Sequence, residues 1–231
     1  MTKNIIKLFE SFRYKHDMFR VFSDFIEVSA ISISNAVDKS QFKEREDRYL
    51  QIASNYTKDE LNTFADILTQ VVVALEQAPN DILGRVFMEL ELSDDWKGQF
   101  FTPIGLAELM AEPMVEDAQR AIKNKGYFTV NDPAVGGGAT IIGLIRVLQR
   151  HGINYQRYMR VIANDIDIRS VHMCYIQLSL LGVNAVLYRG DTLSLKFDPQ
   201  PWRTPNNILK IFGLPKYQKP EEPIGHQYSL F

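Results

Sequence analysis

Eight residues constrain the fold of this chain more than any others: Asp132-Pro133-Ala134-Val135-Gly136-Gly137-Gly138-Ala139. A strand pattern, Tyr127 to Asn131, leads into them, and a helical pattern, Thr140 to Arg150, leads out. Glycines at a strand-to-helix turn let the backbone approach a ligand without side-chain obstruction. The helix start offers free N–H groups to a carboxylate or phosphate. The alternation continues downstream. Arg160 to Asn164 reads as a strand, Arg169 to Leu181 as a helix and Ala185 to Tyr188 as a third strand. Strands alternating with helices imply a parallel sheet with right-handed crossovers, so the fold class is α/β.

The first 95 residues differ in character, being helical in pattern and poor in Gly and Pro. Met18, Phe19, Val21, Phe22, Phe25, Ile26 and Val28 recur at helical spacing, and Lys58 to Gln77 carries an apolar face from Leu61 to Leu75. A further helix is expected over Asp81 to Glu91, with Asp81 at its cap. The charged run Lys43 to Arg48 reads as a solvated face or a loop. Thr102 and Pro103 are suited to capping and starting a helix over Ile104 to Asn124. Three regions follow: helices over residues 1–97, an α/β region over 98–197, and a Pro-rich tail over 198–231. No further strand is evident after Leu195, so much of the tail is expected to be extended and poorly ordered.

The balance of 26 Lys and Arg against 28 Asp and Glu excludes a broadly basic nucleic-acid coat, so any DNA contact must be a local patch. One cysteine, Cys174, allows no internal disulfide and suits a reducing cytoplasm. The N-terminus lacks the features of a secretory signal, and no apolar stretch is long enough to span a membrane. Four scattered histidines offer no zinc spacing, and no metal site is expected.

The chemistry concentrates at three strand ends. The glycine spacing does not fit the dinucleotide fingerprint, because Ile141 stands where its third glycine would fall. Asp132 also brings negative charge to the first strand end, which suits a cationic ligand such as one with an ammonium or sulfonium group. Asp165, in Asn164-Asp165-Ile166-Asp167, follows the second strand and is placed to bond ribose hydroxyls. Asp191, after the third strand, is placed to accept from the amine of an adenine. For each aspartate singly, capping the next helix or turn is an equal alternative. The three together describe an adenosine ligand with a cationic amino-acid tail.

In order along the chain, GQFFTP, DPAVGGGA, ANDID and YRGDTL resemble the N6-adenine DNA methyltransferases, above all the methylation subunit of type I restriction–modification systems. The resemblance covers about residues 81 to 194. It implies a partial Rossmann-like methyltransferase domain behind an N-terminal helical region, with S-adenosylmethionine as cofactor. By the same resemblance, Phe101, Thr102 and Pro103 hold the methionine end over Asp132, Ala134 and Gly136. Asp165 takes the ribose, Ile166 packs on the adenine and Asp191 reads its amine. The family's second motif, Asn or Asp followed by Pro-Pro and an aromatic residue, receives the flipped target base. It is not found here. The nearest string, Asp198-Pro199-Gln200-Pro201-Trp202, is either a rearranged catalytic loop or a Pro-rich exit from the fold.

Too few residues follow Asp191 for the other half of the family's sheet. The exposed edge of the first strand therefore needs cover from the N-terminal helices, the tail, or a homo- or hetero-oligomeric partner. The chain ends Gln227-Tyr228-Ser229-Leu230-Phe231, which resembles the peptide by which bacterial replication and repair proteins dock on the DNA sliding clamp. Folding of Leu230 and Phe231 onto the chain's own core is the alternative. Two functions are thus expected. One is a cofactor-binding DNA adenine-N6 methyltransferase-like protein, its activity dependent on a partner for the base pocket. The other is a non-catalytic adaptor of the same fold, docking on the clamp or on a restriction or replication partner.

Overall fold

The computed structural model describes residues 2–90 and 102–210, together with the backbone of residues 228–229. The N-terminal region is built from α1 (Thr2–Glu10), α2 (Met18–Val37), α3 (Phe42–Ala53), α4 (Lys58–Gln77) and α5 (Ile82–Glu89). Then come α6 (Ile104–Ala111), α7 (Met114–Lys125), β1 (Phe128–Asp132), α8 (Ala139–Arg150), α9 (Tyr155–Tyr158), β2 (Met159–Asp165), α10 (Ile168–Leu180) and β3 (Asn184–Asp191). The chain closes with β4 (Lys196–Phe197), β5 (Trp202–Arg203), α11 (Pro205–Leu209) and β6 (Tyr228–Ser229).

The described strands form one sheet in the order β4-β3-β2-β1-β6, with β5 also paired to β3. β6, β1, β2 and β3 are parallel, and β4 and β5 run antiparallel along the outer edge of β3. The α/β class is therefore confirmed, with the parallel strands in the positions that the alternation implied. Side chains alternate across the sheet. Val130, Val161, Ala163, Ala185 and Leu187 point into the core, while Ile162 on the opposite face is 47% exposed.

Local chemistry explains the helix starts. Thr57 and Glu60 form a reciprocal capping box that opens α4, and Asp81 accepts from the Gly84 N–H to open α5, as expected. α1, the turn after it, α2 and α4 supply aromatic core: Phe9 meets Phe25 edge to face, and Phe12 packs on Phe64. α2 lies across α10, so one apolar cluster runs from Ile5 through the sheet to Trp202.

Several expectations are corrected. Of the two alternatives for the charged run Lys43 to Arg48, the solvated face holds and the loop does not: the run lies in α3, exposed or half-buried except at Arg45. Its Arg48 pairs with Glu27, while Arg45 is buried with its guanidinium over the Trp202 ring. The single helix expected over Ile104 to Asn124 is two helices, broken at Glu112 and Pro113, because Pro113 has no N–H to continue the ladder. The helix cap there is Pro103, and Thr102 makes no capping bond. After Leu195 the chain adds β4, β5, α11 and β6, where no strand was expected. Each of these strands is two residues long, too short for any periodicity to show. They form because tertiary partners exist: Thr204 donates to Val183 O and accepts from Ala185 N–H, locking β5 beside β3.

The uncovered edge of β1 is also resolved in part. β6 of the same chain pairs with Val130 and Asn131, so at these positions the cover comes from the tail. No helix of the described residues is long and apolar enough to cross a membrane.

Candidate functional site

The turn after β1 folds around its own aspartate. Asp132 is wholly buried, accepts from the Ala134 N–H at 3.1 Å and from the Thr140 hydroxyl, and so ties the strand end to the first turn of α8. Burial, with repulsion from Asp165, pushes its carboxyl up from the ordinary range. Gly136 and Gly138 adopt φ of 53° and 97°, which side-chain-bearing residues rarely do. A Cβ on Gly138 would also sit 3.0 Å from Cys174 Sγ. Cys174 itself is buried and its thiol is pushed well up by that burial, so it packs rather than reacts.

Asp165 ends β2 and holds the turn from the other side. Its Oδ2 accepts from the Gly136 N–H and its Oδ1 from the Asp167 N–H, both at 2.9 Å. Burial raises this carboxyl too. The Ile166 N–H bonds to it as well, so of the about four acceptor sites of a carboxylate one is left for a ribose hydroxyl. Asp167 caps α10 by accepting from the Arg169 N–H. Ile166, between the two acids, is 66% exposed, an apolar surface with no cover among the described residues. Asp191 ends β3. The Ser194 hydroxyl and the Leu193 N–H bond to it and hold its carboxyl below the usual range.

Three side chains to which the sequence assigned no role, Asn164, Thr192 and Gln177, knit these ends together. Pro133 O accepts from Asn164 Nδ2 at 2.9 Å and from the Thr192 hydroxyl at 2.7 Å. Gln177, buried in α10, uses its whole amide: Oε1 accepts from the Ile82 and Leu83 N–H groups, and Nε2 donates to Asp81 and to Gly137 O. The glycine turn is thereby bonded to the N-terminal helices. Asn164 and Thr192 sat inside motifs already noted, whereas Gln177 had no local signal because its partners lie 40 and about 95 positions away.

Thr102 and Pro103 line a cavity of about 350 Å3 with Asp81, Gly84, Arg85 and Met88. Asp81 bonds Gln177, and Gln177 bonds the glycine turn, so this cavity adjoins the turn through two hydrogen-bonded side chains. Phe101 lies outside the described residues, and Ala134 is exposed at the turn. The structure therefore brings Ala134, Gly136, Asp165, Ile166 and Asp191 to the C-terminal ends of three adjacent parallel strands, over the buried Asp132.

It does not bring the string Asp198 to Trp202 there. Asp198 leaves the β4 hairpin bonded to Arg189 O, and the chain then runs back along β3. Pro199 lines a surface cleft beside α3, and Pro201 O accepts from Gln41 and Arg45. Trp202 stands opposite Leu187, 9% exposed, packed on His172, Tyr175 and Arg45. Its ring is core and is not presented to a base. Of the terminal peptide, Ser229 lies in β6, while Gln227, Leu230 and Phe231 are outside the described residues.

No curated protein matches the chain. Among solved structures, it is similar to a protein of Listeria monocytogenes assigned to the class I S-adenosylmethionine-dependent methyltransferases. The identity is 14%, covering 80% of this chain and 52% of that one, with a TM-score of 0.41. It is also similar to the methyltransferase subunit of a type I restriction–modification system from Streptococcus thermophilus. Here the identity is 14%, covering 87% of this chain and 61% of that one, with a TM-score of 0.42. The chain thus spans between half and two thirds of each. Residues 81–216, which hold the glycine turn and all three acidic strand ends, match the model of the N-6 DNA methylases, and with more than half of its length so matched the chain belongs to that family.

Proposed function

We propose that this chain is the cofactor-binding part of an S-adenosylmethionine-dependent DNA adenine-N6 methyltransferase. The observation that carries the reading is the convergence of the glycine turn with Asp165, Ile166 and Asp191 at three adjacent strand ends. The donor set fits such a ligand. Asp165 keeps an acceptor site for a ribose hydroxyl, Ile166 offers a bare apolar side chain to the adenine, and Asp191 is ionised at the surface. Asp132 acts beneath the turn: it fixes the backbone and adds negative charge below the sulfonium without touching it. Thr102 and Pro103 close the methionine end at the cavity they line beside Asp81, and the same role is proposed for Phe101 from its place in the motif. When bound, the cofactor supplies an electrophilic methyl group; the chain's own residues orient it.

The base pocket belongs elsewhere in this reading. With Trp202 committed to the core, the acceptor for the target adenine comes from a partner chain, and methylation requires that partner. Calorimetric titration with S-adenosylmethionine tests the cofactor half. Micromolar-range binding is expected, abolished in Asp165→Ala. Absence of binding by the folded wild-type chain would overturn the reading. In a parallel assay on adenine-containing duplex DNA, the purified chain alone is expected to form no N6-methyladenine.

A further inference from the structure

At the other end of the strands, about 20 Å from the glycine turn by strand length, lies a second cavity, of about 410 Å3. Arg160 near the start of β2 is the register partner of Asn184 at the start of β3. Arg203 of β5 stands opposite Val186, two positions further along β3. By strand alternation these residues share the open face of the sheet. α11 completes the lining with Asn207 and, at its C-terminal cap, Lys210.

The cavity therefore gathers two arginines and a lysine in a chain of net charge −2. Among the described residues, none of the three has a carboxylate within salt-bridge distance. The acid in the lining, Asp38, is committed elsewhere: Oδ1 accepts from the Ser40 N–H and hydroxyl, and Oδ2 lies 3.7 Å from Arg45. Arg160 is held in place by stacking, its guanidinium 3.7 Å from the centre of the Tyr127 ring. Stacking fixes the plane of the fork and leaves its N–H donors for a ligand. Asn207 donates to Asn184 Oδ1 at 2.8 Å, which fixes the two amides against each other and leaves the Asn184 NH2 group to donate.

We propose that this cavity is a phosphate-binding site, separate from the cofactor turn, taking a phosphate carried by a DNA strand or by a free phosphorylated molecule. Forked donors, a lysine point charge and amide N–H groups match the several oxygens and negative charge of a phosphate. The volume admits a phosphate with its attached sugar. The site does not depend on methyl transfer, and its ligand would lie at the far end of the sheet from the methyl donor.

The test uses the full chain, inorganic pyrophosphate and, separately, a DNA duplex of arbitrary sequence. The variants are Arg203→Ala with Lys210→Ala, both at exposed positions, and Arg160→Gln; thermal melting checks that they fold. Pyrophosphate is expected to bind the wild type and to bind the double variant about tenfold or more weakly. S-adenosylmethionine titration of the same proteins should be unchanged, so failure here is distinguishable from failure of the cofactor site. If duplex affinity falls as well, and its log–log salt slope shrinks by about 2, the phosphate is that of DNA. If duplex affinity holds while pyrophosphate affinity falls, the ligand is a free phosphorylated molecule. The proposal is overturned if neither pyrophosphate nor duplex binding depends on these residues in the folded variants.

Discussion

Single residues decide how the site is poised and how acid affects the fold. His172 is fully enclosed between α10 and Trp202, its ring edge-on to the indole at 4.7 Å, and its Nε2 has no partner among the described residues. Burial lowers its pKa to about 4. The unfolded chain therefore takes a proton that the folded chain refuses between pH 6.5 and about 4. Stability contributed by the neutral ring is full above that window and is lost as pH falls through it, by roughly 3 kcal/mol. His172→Phe keeps an aromatic ring on Trp202 and removes the titration, so urea midpoints measured from pH 7 to pH 4 should fall less steeply than in the wild type. At the glycine turn, Gly138→Ala forces a side chain into left-handed backbone and against Cys174. A loss of about 1–3 kcal/mol is expected in urea unfolding, with weakened cofactor affinity.

Elements show where sequence pattern suffices and where it does not. α4 matches its expected bounds because both determinants are local, an apolar face at helical spacing and the Thr57–Glu60 box. Thr57→Ala should cost about 1 kcal/mol in chemical denaturation. The glycine turn and the ends of β1 to β3 were equally legible, since hydrophobic runs and acids sit side by side in the chain. β4, β5 and α11 were not, because Trp202 and Thr204 acquire their places only from α10, α3 and β3. The fate of the Asp198–Trp202 string was hidden for the same reason: nothing local tells whether an indole faces a ligand or a core. The α6–α8 contact adds a packing constraint that no motif announces. A Cβ on Gly143 would lie 2.6 Å from Ala107 Cβ and 2.8 Å from its backbone carbon. Gly143→Ala gains about 1 kcal/mol of helix propensity but meets backbone that cannot swing aside. The expected sign is net destabilisation, by about 1–2 kcal/mol, with α6 displaced.

Across the whole molecule, the N-terminal helices and the α/β sheet share one apolar cluster and one buried amide. Gln177→Leu would strand the Leu83 N–H and Gly137 O in a dry environment, and would leave Ile82 N–H with Asn80 O and the buried Asp81 carboxyl with the Gly84 N–H as their remaining partners. A loss of about 3–5 kcal/mol is expected. In the wild type, tryptophan fluorescence and far-ultraviolet dichroism should report one coincident urea transition. In the variant the two probes should part, because the helices and the glycine turn no longer answer to each other.

The pairing of β6 with β1 also bears on how the chain is made. Val130 and its partner Tyr228 are 98 positions apart. At about 5–20 residues per second, translation leaves that edge of the nascent sheet bare for roughly 5–20 s after β1 is synthesised. During that interval its unpaired backbone is open to a neighbouring nascent chain or a chaperone, so the order of synthesis sets the period of greatest aggregation risk.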